Sequence, residues 1–193
     1  MFNKKLQDYQ IVLASGSPRR QQFFKDLGFH FEIRLKEIDE IYPQDLQAHQ
    51  ITNFLSELKA NAFKDELKEN EILVTSDTIV WYENTALGKP KDKDEAFAIL
   101  QKLSNSTHEV ITSISFTTKD KITTLHDYTE VTFTELTHEM IEYYLTHFHP
   151  YDKAGSYGIQ DWIGLVGVKS INGSYNNVMG LPTHLVFDFF NKF

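Results

Sequence analysis

The order in which strand-like and helical segments follow one another is the feature that most limits the fold of this chain. Short runs rich in β-branched and aromatic residues alternate with stretches whose apolar residues recur every three to four positions. The predicted strands are residues 10–14, 31–35, 72–76, 78–82, 109–118, 122–133 and 163–169. The predicted helices are residues 18–27, 45–67, 92–103, 137–148 and 183–190. This order predicts an α/β fold with a mixed, twisted β-sheet flanked by helices and a long hairpin that turns at "TTKDKI".

The length of the chain sets the expected number of domains. With 193 residues it is near the border between one large domain and two small lobes. It has no internal repeat, low-complexity segment or Pro/Gly-rich linker that would separate independent parts. We therefore expect residues 1–193 to form a single domain.

The stretch "LASGSPRRQQFFKDLG" combines a strand end, a turn of small residues and the start of a helix. Ser17 can cap this helix, and Pro18 fits its first position. Arg19 and Arg20 follow in the first turn, where the helix dipole disfavours a cation by about 0.3–1 kcal/mol. An anion bound by the free N–H groups and both guanidinium groups would explain this placement. Arg20→Ala should then weaken anion binding and hardly change the stability of the free protein. The alternative is that the Arg20 side chain packs on the aromatic residues of the same helix.

Two charged residues stand where the local backbone would hold them in place. Asp77 in "VTSDTIVWYEN" falls between two predicted strands, and a carboxylate at such a break projects from a strand end, as catalytic acids often do. The alternative is a turn aspartate that bonds to its own backbone. Lys89 stands between Gly88 and Pro90, ahead of a helix that Asp92 is expected to cap. For Lys89 the alternative is an exposed turn lysine.

The second predicted helix carries an apolar stripe that indicates which face is buried. The stripe consists of Ile51, Phe54, Leu55, Leu58 and Ala62. Lys59 falls at the edge of this stripe, which is unusual for a charged side chain. Either its aliphatic stem lies along the apolar surface with the ammonium in water, or the residue is placed for a function.

Two loops carry further charged and polar residues. The stretch "YDKAGSYGIQDW" places Lys153 and Gln160 among glycines, which indicates a tight backbone path or the close approach of a ligand. A plain surface loop is the alternative. The stretch "KEIDEIYP" supplies Glu37, Asp39 and Glu40 after the second strand, and acidic runs in loops are usually just solvated.

Composition and missing motifs exclude several classes of function. A formal charge of −8 argues against nucleic-acid binding, and the absence of cysteine excludes disulfides, thiolate catalysis and cysteine-ligated zinc. No apolar run approaches the roughly 20 residues of a membrane span, so we expect a cytoplasmic protein without a membrane partner. Phosphate-binding-loop, dinucleotide-binding, zinc-protease and serine-hydrolase patterns are absent. His147 and His149 near a helix end are expected to be a surface pair.

Seven motifs follow one another through nearly the whole chain. They are "LASGSPRRQQFFKDLG", "LKANAF", "SDTIV", "LGKPKDKDEAFAILQKLS", "THEVITS", "YDKAGSYGIQ" and "INGSYNNVMGLP". Each motif is weak alone, but the ordered set resembles the Maf family of nucleotide pyrophosphatases. The resemblance implies an inosine-triphosphatase-like (Maf/Ham) fold with a cleft between two lobes, a divalent metal cation, and hydrolysis of nucleoside triphosphates to monophosphate and pyrophosphate. The late loop resembles the subgroup associated with dTTP and UTP.

The resemblance also implies roles for individual residues. The expected catalytic residues are Asp77, Lys59, Lys89 and Gln160. The expected substrate-binding residues are Ser15, Arg19, Arg20 and Lys153. Glu40 and Asp77 are the expected ligands of Mg²⁺ or Mn²⁺, since both ions prefer oxygen donors. Asp77 is expected to act as the general base or to orient the attacking water, and the sequence does not separate that role from metal binding.

Two departures from the family pattern and two other functions stay open. Ser76 stands where alanine is common, and "QDWIG" replaces a more glycine-rich continuation, which bears on the outer wall of the pocket. The chain could instead be a non-catalytic nucleotide-binding regulator of cell division and septum formation, or a phosphomonoesterase that releases inorganic phosphate. The expected partner is a nucleoside triphosphate, the expected role includes the cleaning of nucleotide pools, and a homodimer is one alternative for the oligomeric state.

Overall fold

The fold is an α/β arrangement, seen in a computed structural model that describes residues 4–193. In this range the strands are β1 (Gln10–Leu13), β2 (Phe31–Ile33), β3 (Glu71–Tyr82), β4 (Thr85–Leu87), β5 (Thr107–Thr117), β6 (Ile122–Phe133) and β7 (Val168–Asn172). The helices are α1 (Pro18–Asp26), α2 (His49–Asn61), α3 (Lys93–Leu103), α4 (His138–Phe148), α5 (Trp162–Gly167), α6 (Tyr175–Val178) and α7 (Thr183–Lys192). Short 3₁₀ turns cover Lys4–Asp8, Lys64–Glu66, Pro150–Asp152 and Ala154–Ser156. None of these helices combines the length with the apolar character that a membrane crossing needs.

The strands form a mixed sheet. Within residues 4–193 they pair in the order β2-β1-β3-β5-β6-β7, and β4 also pairs with β3. β1 is parallel to both of its neighbours, with Ile11 opposite Phe31 on β2 and Ile72 on β3. The β3–β4 and β6–β7 pairs are antiparallel. The predicted fold class, a mixed sheet flanked by helices, is confirmed.

The chain divides into two compact units, each with its own apolar core. Unit 1 comprises residues 4–77, 112–127 and 180–193, and unit 2 comprises residues 78–111 and 128–179. The largest core side chains of unit 1 include Phe24, Phe116 and Phe190. Those of unit 2 include Leu100, Phe133 and Tyr144. The implied cleft and the single domain over residues 1–193 stay predictions.

The predicted break between two strands at Asp77 is wrong, because β3 runs through this residue without interruption. Every residue from Glu71 to Asp77 is buried. Side chains alternate between the two faces of a strand, so Asp77 lies on the same face as Thr75. The hydroxyl of Thr75 donates to the carbonyl of Ser56 on α2 at 2.7 Å. Asp77 is therefore a strand residue that faces α2.

The second predicted helix is shorter than expected, and its buried face coincides only in part with the predicted apolar stripe, of which Ile51 and Leu55 are buried. The helix covers His49–Asn61, not residues 45–67. Its buried residues are Ile51, Thr52, Leu55, Ser56 and Ala60. Phe54 of the predicted stripe is 37% exposed, whereas Thr52 and Ser56 are fully buried and bond to Ser113 and Ser115 on β5 at 2.6 and 2.8 Å. Hydroxyl groups can be buried in this way because each finds a partner.

The predicted strand over residues 163–169 is wrong for most of its length. Residues Trp162–Gly167 form α5, and β7 begins only at Val168. Periodicity does not separate a short apolar run in a strand from one in a helix. In the structure, a Cβ at Gly164 would overlap the carbonyl oxygen of Ile159, five residues earlier in the chain. This close approach of two backbone segments needs glycine.

Candidate active site

Lys59 lies between two carboxylates of unit 1. Its Nζ is 2.6 Å from Oδ1 of Asp77 and 2.9 Å from Oε1 of Glu40. The side chains of Lys59 and Asp77 are 15% and 8% exposed, while that of Glu40 is 43% exposed. Lys59 belongs to the last turn of α2, where the helix dipole favours a cation. Three predicted site residues therefore meet at one ammonium group.

Burial and charge act in opposite directions on Asp77. Burial raises the pKa of its carboxyl group, and the positive charges of Lys59 and Arg20 act against this rise. A carboxylate with a raised pKa accepts a proton more readily than an exposed one, whereas a cation beside it keeps the ionised form available. This combination is typical of a general base.

The guanidinium group of Arg20 is held by two backbone carbonyl groups. Its Nε donates to the carbonyl of Gly180 at 2.8 Å, and its Nη1 donates to the carbonyl of Ser76 at 2.9 Å. Burial lowers the pKa of Arg20, but an arginine remains charged in any case. Because Ser76 directly precedes Asp77, Arg20 supports the backbone that carries the candidate base. The anion predicted at this helix start stays a prediction.

The other two predicted residues of this stretch lie at the start of α1. Ser17 is the N-cap as predicted, with its side chain accepting from the backbone N–H of Arg20. Ser15 is buried, and its Oγ accepts a hydrogen bond from the N–H of Ser17 at 3.3 Å. Arg19 is half-buried in the first turn of the helix. Substrate binding by Ser15 and Arg19 stays a prediction.

The predicted metal ligands, Glu40 and Asp77, converge on a common point. Both have an oxygen within 2.9 Å of the Lys59 ammonium nitrogen. No cluster of three or more His, Asp and Glu suited to a metal occurs in the described part of the chain. Mg²⁺ commonly uses only one or two protein carboxylates when substrate phosphates and water supply the other ligands. Glu40 and Asp77 are thus within the usual number of carboxylates for such an ion, and metal binding by them stays a prediction.

In unit 2, the turn that carries Lys89 is bonded to the glycine-rich late loop. The carbonyl of Gly88 accepts a hydrogen bond from the N–H of Gly155 at 3.1 Å. Gly155 has a φ of +69°, and a Cβ there would lie 2.5 Å from the side chain of Val80. Only glycine fits both the conformation and the space. The predicted tight backbone path is confirmed, and Lys89 is exposed beside it.

The late loop holds Lys153 between two carboxylates. Its Nζ lies 2.7 Å from Oδ1 of Asp152 and 4.0 Å from Oδ2 of Asp161. Lys153 is 13% exposed, whereas the side chain of Asp152 is 64% exposed. Gln160 is exposed at the end of the loop. Lys153 and Gln160 thus belong to one loop of unit 2, and this loop contacts the turn that carries Lys89.

Tyr144 is the contact of this loop that sequence reasoning missed. Its hydroxyl donates to Oδ2 of Asp161 at 2.8 Å and accepts from the N–H of Gly158 at 3.0 Å. A tyrosine among apolar residues of a helix is typical of a core position. Its loop partners lie 14 and 17 residues later, so no local spacing connects them.

The comparison with protein families decides which family these features represent. The model of the family described as "Maf-like protein" matches residues 10–193. The chain belongs to the Maf family. This Maf chain is 62% identical over 189 residues to a dTTP/UTP pyrophosphatase of Flavobacterium johnsoniae, covering 98% of this chain and 97% of that protein. Identity is 61% to a protein of the same name from Flavobacterium psychrophilum, over 97% of this chain and 96% of the relative. It is 54% to one from Christiangramia forsetii, over 97% of this chain and 95% of the relative.

Solved structures show a more distant likeness to the Maf chain. The Ham1 protein of Staphylococcus aureus matches with a TM-score of 0.46 and 15% identity, covering 64% of this chain and 71% of that one. A nucleoside-triphosphatase / dITP/XTP pyrophosphatase of Mycobacterium abscessus matches with a TM-score of 0.43 and 12% identity, covering 64% and 74%.

Proposed function

We propose that this Maf chain hydrolyses dTTP and UTP to the nucleoside monophosphates and pyrophosphate with the help of a divalent cation. The observation that carries the proposal is the buried Lys59–Asp77 pair with Glu40 beside it. Relatives of 54%, 61% and 62% identity over nearly the whole chain are named dTTP/UTP pyrophosphatase. That shared name supports the predicted enzyme class, a nucleoside triphosphate pyrophosphatase.

Asp77 is the proposed base for the attacking water. Hydrolysis to monophosphate and pyrophosphate breaks the bond between the α- and β-phosphates, and the water loses a proton as its oxygen bonds to phosphorus. Burial raises the pKa of Asp77, which strengthens its carboxylate as a proton acceptor. Lys59, at 2.6 Å, favours the ionised carboxylate that this step requires.

The basic side chains are proposed to offset the charge of the triphosphate, which is about four negative charges. In unit 1 these are Arg19, Arg20 and Lys59, and in unit 2 they are Lys89 and Lys153. Lys89 is exposed and accessible to a ligand. The partner of Lys153, Asp152, has a side chain that is 64% exposed, so this carboxylate can turn into water when a phosphate takes its place at the ammonium.

Glu40 and Asp77 are the residues that would hold the divalent cation. The Lys59 ammonium lies at the point where the two carboxylates meet, so the cation would bind to their other oxygens or take the place of the ammonium when Lys59 turns to a substrate phosphate. When bound, the cation supplies positive charge for the phosphates and a lowered pKa for a water. Arg20 supports this arrangement by its hydrogen bond to the backbone carbonyl of Ser76, and Lys59 supports it by its ion pair with the side chain of Asp77.

Product analysis with dTTP and UTP tests the proposal. Purified protein with Mg²⁺ or Mn²⁺ should release the nucleoside monophosphate and pyrophosphate in equal amounts, and removal of the cation with a chelator should stop the release. Inorganic phosphate in place of pyrophosphate would indicate a phosphomonoesterase. Binding of dTTP without any product would indicate a nucleotide-binding regulator. Either of these results would contradict the proposed activity.

A further inference from the structure

The hydroxyl of Tyr144 joins α4 to the late loop of unit 2. Tyr144 is fully buried, and its ring stacks on Phe148 with centroids 5.3 Å apart. The hydroxyl donates to Oδ2 of Asp161 at 2.8 Å and accepts from the N–H of Gly158 at 3.0 Å. The hydroxyl thus donates one hydrogen bond to the loop and accepts one from it. Burial raises the pKa of Tyr144, so the donor proton stays in place near neutral pH.

Asp161 connects this hydrogen bond to Lys153. The carboxylate oxygen that Tyr144 binds lies 4.0 Å from Nζ of Lys153, which is longer than a direct hydrogen bond. The side chains of Lys153 and Asp161 are only 13% and 18% exposed, so water screens their charges incompletely. A Cβ at Gly158 would lie 2.5 Å from the same oxygen, so the missing side chain leaves room for the carboxylate in this position.

We propose that Tyr144 is a positioning residue of the nucleotide site, and that its hydroxyl keeps the Asp161 carboxylate from pairing directly with the Lys153 ammonium. This rests on the proposed function, in which Lys153 contacts the substrate. A carboxylate in direct contact with Lys153 would compete with a phosphate oxygen for the same ammonium. The tyrosine hydroxyl offers Asp161 a neutral donor instead, so the Lys153 ammonium, which already contacts the exposed Asp152 carboxylate at 2.7 Å, does not gain a second direct carboxylate partner. The bond to Gly158 also fixes the backbone just before Gln160.

Binding of α,β-imido-dTTP with Mg²⁺, measured by titration calorimetry, tests this role without cleavage of the ligand. Tyr144→Phe removes only the hydroxyl and should weaken binding about tenfold, a usual size for coupling between groups in contact. Asp161→Asn alone should change the affinity less than about threefold. The double variant should return to within about threefold of the wild type, because a neutral amide cannot compete for Lys153. A merely structural role of Tyr144 would give no such recovery.

Tyr157→Phe is the matched control. Tyr157 lies in the same loop and is 5% exposed, and its hydroxyl shares a 2.7 Å hydrogen bond with Nε2 of His108. Its loss should lower the melting temperature about as much as Tyr144→Phe does and leave the affinity within about threefold of the wild type. If Tyr144→Phe does not fold, Asp161→Glu replaces it, since the longer side chain can reach Lys153 and should also weaken binding about tenfold.

The outcomes separate this inference from the proposed function. The positioning role is overturned if Tyr144→Phe binds the analogue as tightly as the wild type, or if the double variant shows no recovery. If Asp161→Glu has replaced Tyr144→Phe, unchanged affinity of that variant overturns the role. A wild type that binds the analogue but releases no pyrophosphate from dTTP refutes the proposed hydrolysis and leaves the binding test valid. A wild type that does not bind the analogue refutes both.

Discussion

The carboxyl group of Asp77 is buried in β3, where its ionised form is unfavourable for stability. Its folded-state pKa is raised above the ordinary value of 3.8, because burial outweighs the opposing effect of Lys59. A raised carboxyl pKa means that the unfolded chain loses the proton first as the pH rises. The free energy of unfolding therefore falls as the pH rises from about 3.8 to the raised pKa. Above the raised pKa the loss is complete and no longer changes with pH.

The change Asp77→Asn separates the effect of this carboxylate on stability from its proposed role as the base. The isosteric amide cannot take a proton from water, so pyrophosphate release from dTTP should fall on the order of 10²–10⁴-fold. The melting temperature at pH 7 should equal or exceed that of the wild type, since a buried charge is removed and Lys59 keeps Glu40 as a partner at 2.9 Å. Asp45→Asn, at an exposed position, serves as the control. A folded Asp77→Asn protein with the wild-type rate would exclude a catalytic role.

At the scale of secondary structure elements, Arg20 of α1 braces two other segments of unit 1. Its hydrogen bonds reach the carbonyl of Ser76 on β3 and the carbonyl of Gly180, shortly before α7. A cation at this helix start is explained at least in part by these two acceptors. The sequence-based expectation that Arg20→Ala hardly changes the stability of the free protein therefore needs revision.

We expect Arg20→Ala to lower the free energy of unfolding by about 1.5–3 kcal/mol, the usual range for hydrogen bonds that involve a charged group. Urea denaturation in the absence of nucleotide measures this change. Lys25→Ala, an exposed position in the last turn of the same helix, should have little effect. Unchanged stability of Arg20→Ala together with weakened nucleotide binding would favour the anion site over the brace.

The polar face of α2 is a second feature of this scale. The hydroxyl groups of Thr52 and Ser56 meet those of Ser113 and Ser115 in direct side-chain hydrogen bonds. Directional bonds of this kind favour one position of the helix on the strand, since a shift would leave buried hydroxyl groups without partners. Lys59 lies one turn after Ser56, so the same bonds place its ammonium near Asp77.

For the whole molecule, the proposed activity predicts a choice among nucleotides. Uracil and thymine share the O4, N3–H and O2 edge, and the backbone groups of the glycine-rich loop could bond to that edge. Cytosine reverses donor and acceptor at two of these positions, so buried polar groups would lose their partners and CTP should be a poor substrate. The 5-methyl group of thymine needs only a small apolar recess. The activation free energies that correspond to kcat/KM for dTTP and UTP should therefore differ by about 1–3 kcal/mol at most.

Steady-state rates on dTTP, UTP, CTP, dATP, GTP and 7-methyl-GTP, at a fixed concentration of Mg²⁺ or Mn²⁺, measure this choice. The expected result is the highest kcat/KM for dTTP and UTP with either metal. CTP or a purine triphosphate as the best substrate would falsify the assignment.

The family, the α/β class and the starts of two helices could be predicted from the sequence alone. The ordered motifs identified the Maf family, and the family match over residues 10–193 confirms it. Ser17 and Asp92 cap α1 and α3 as predicted, because an N-cap depends only on residues within one turn of it. The turn between β5 and β6 also lies where "TTKDKI" places it. The predicted surface pair, His147 and His149, is exposed.

Which side chains come into contact could not be predicted from the sequence, because it depends on how whole elements pack. The polar run around Asp77 is typical of a turn, yet it continues β3, and the hydroxyl of Thr75 in this run donates to the carbonyl of Ser56 on α2. Lys59 approaches Asp77 on a helix whose buried face keeps Ile51 and Leu55 of the predicted stripe but adds the polar Thr52 and Ser56. The bonds of Arg20 to carbonyls 56 and 160 residues away and of Tyr144 to Asp161 have no local signature. A hydrogen bond between distant residues depends on the packing of whole elements, and that packing does not follow from the spacing of residues within any one of them.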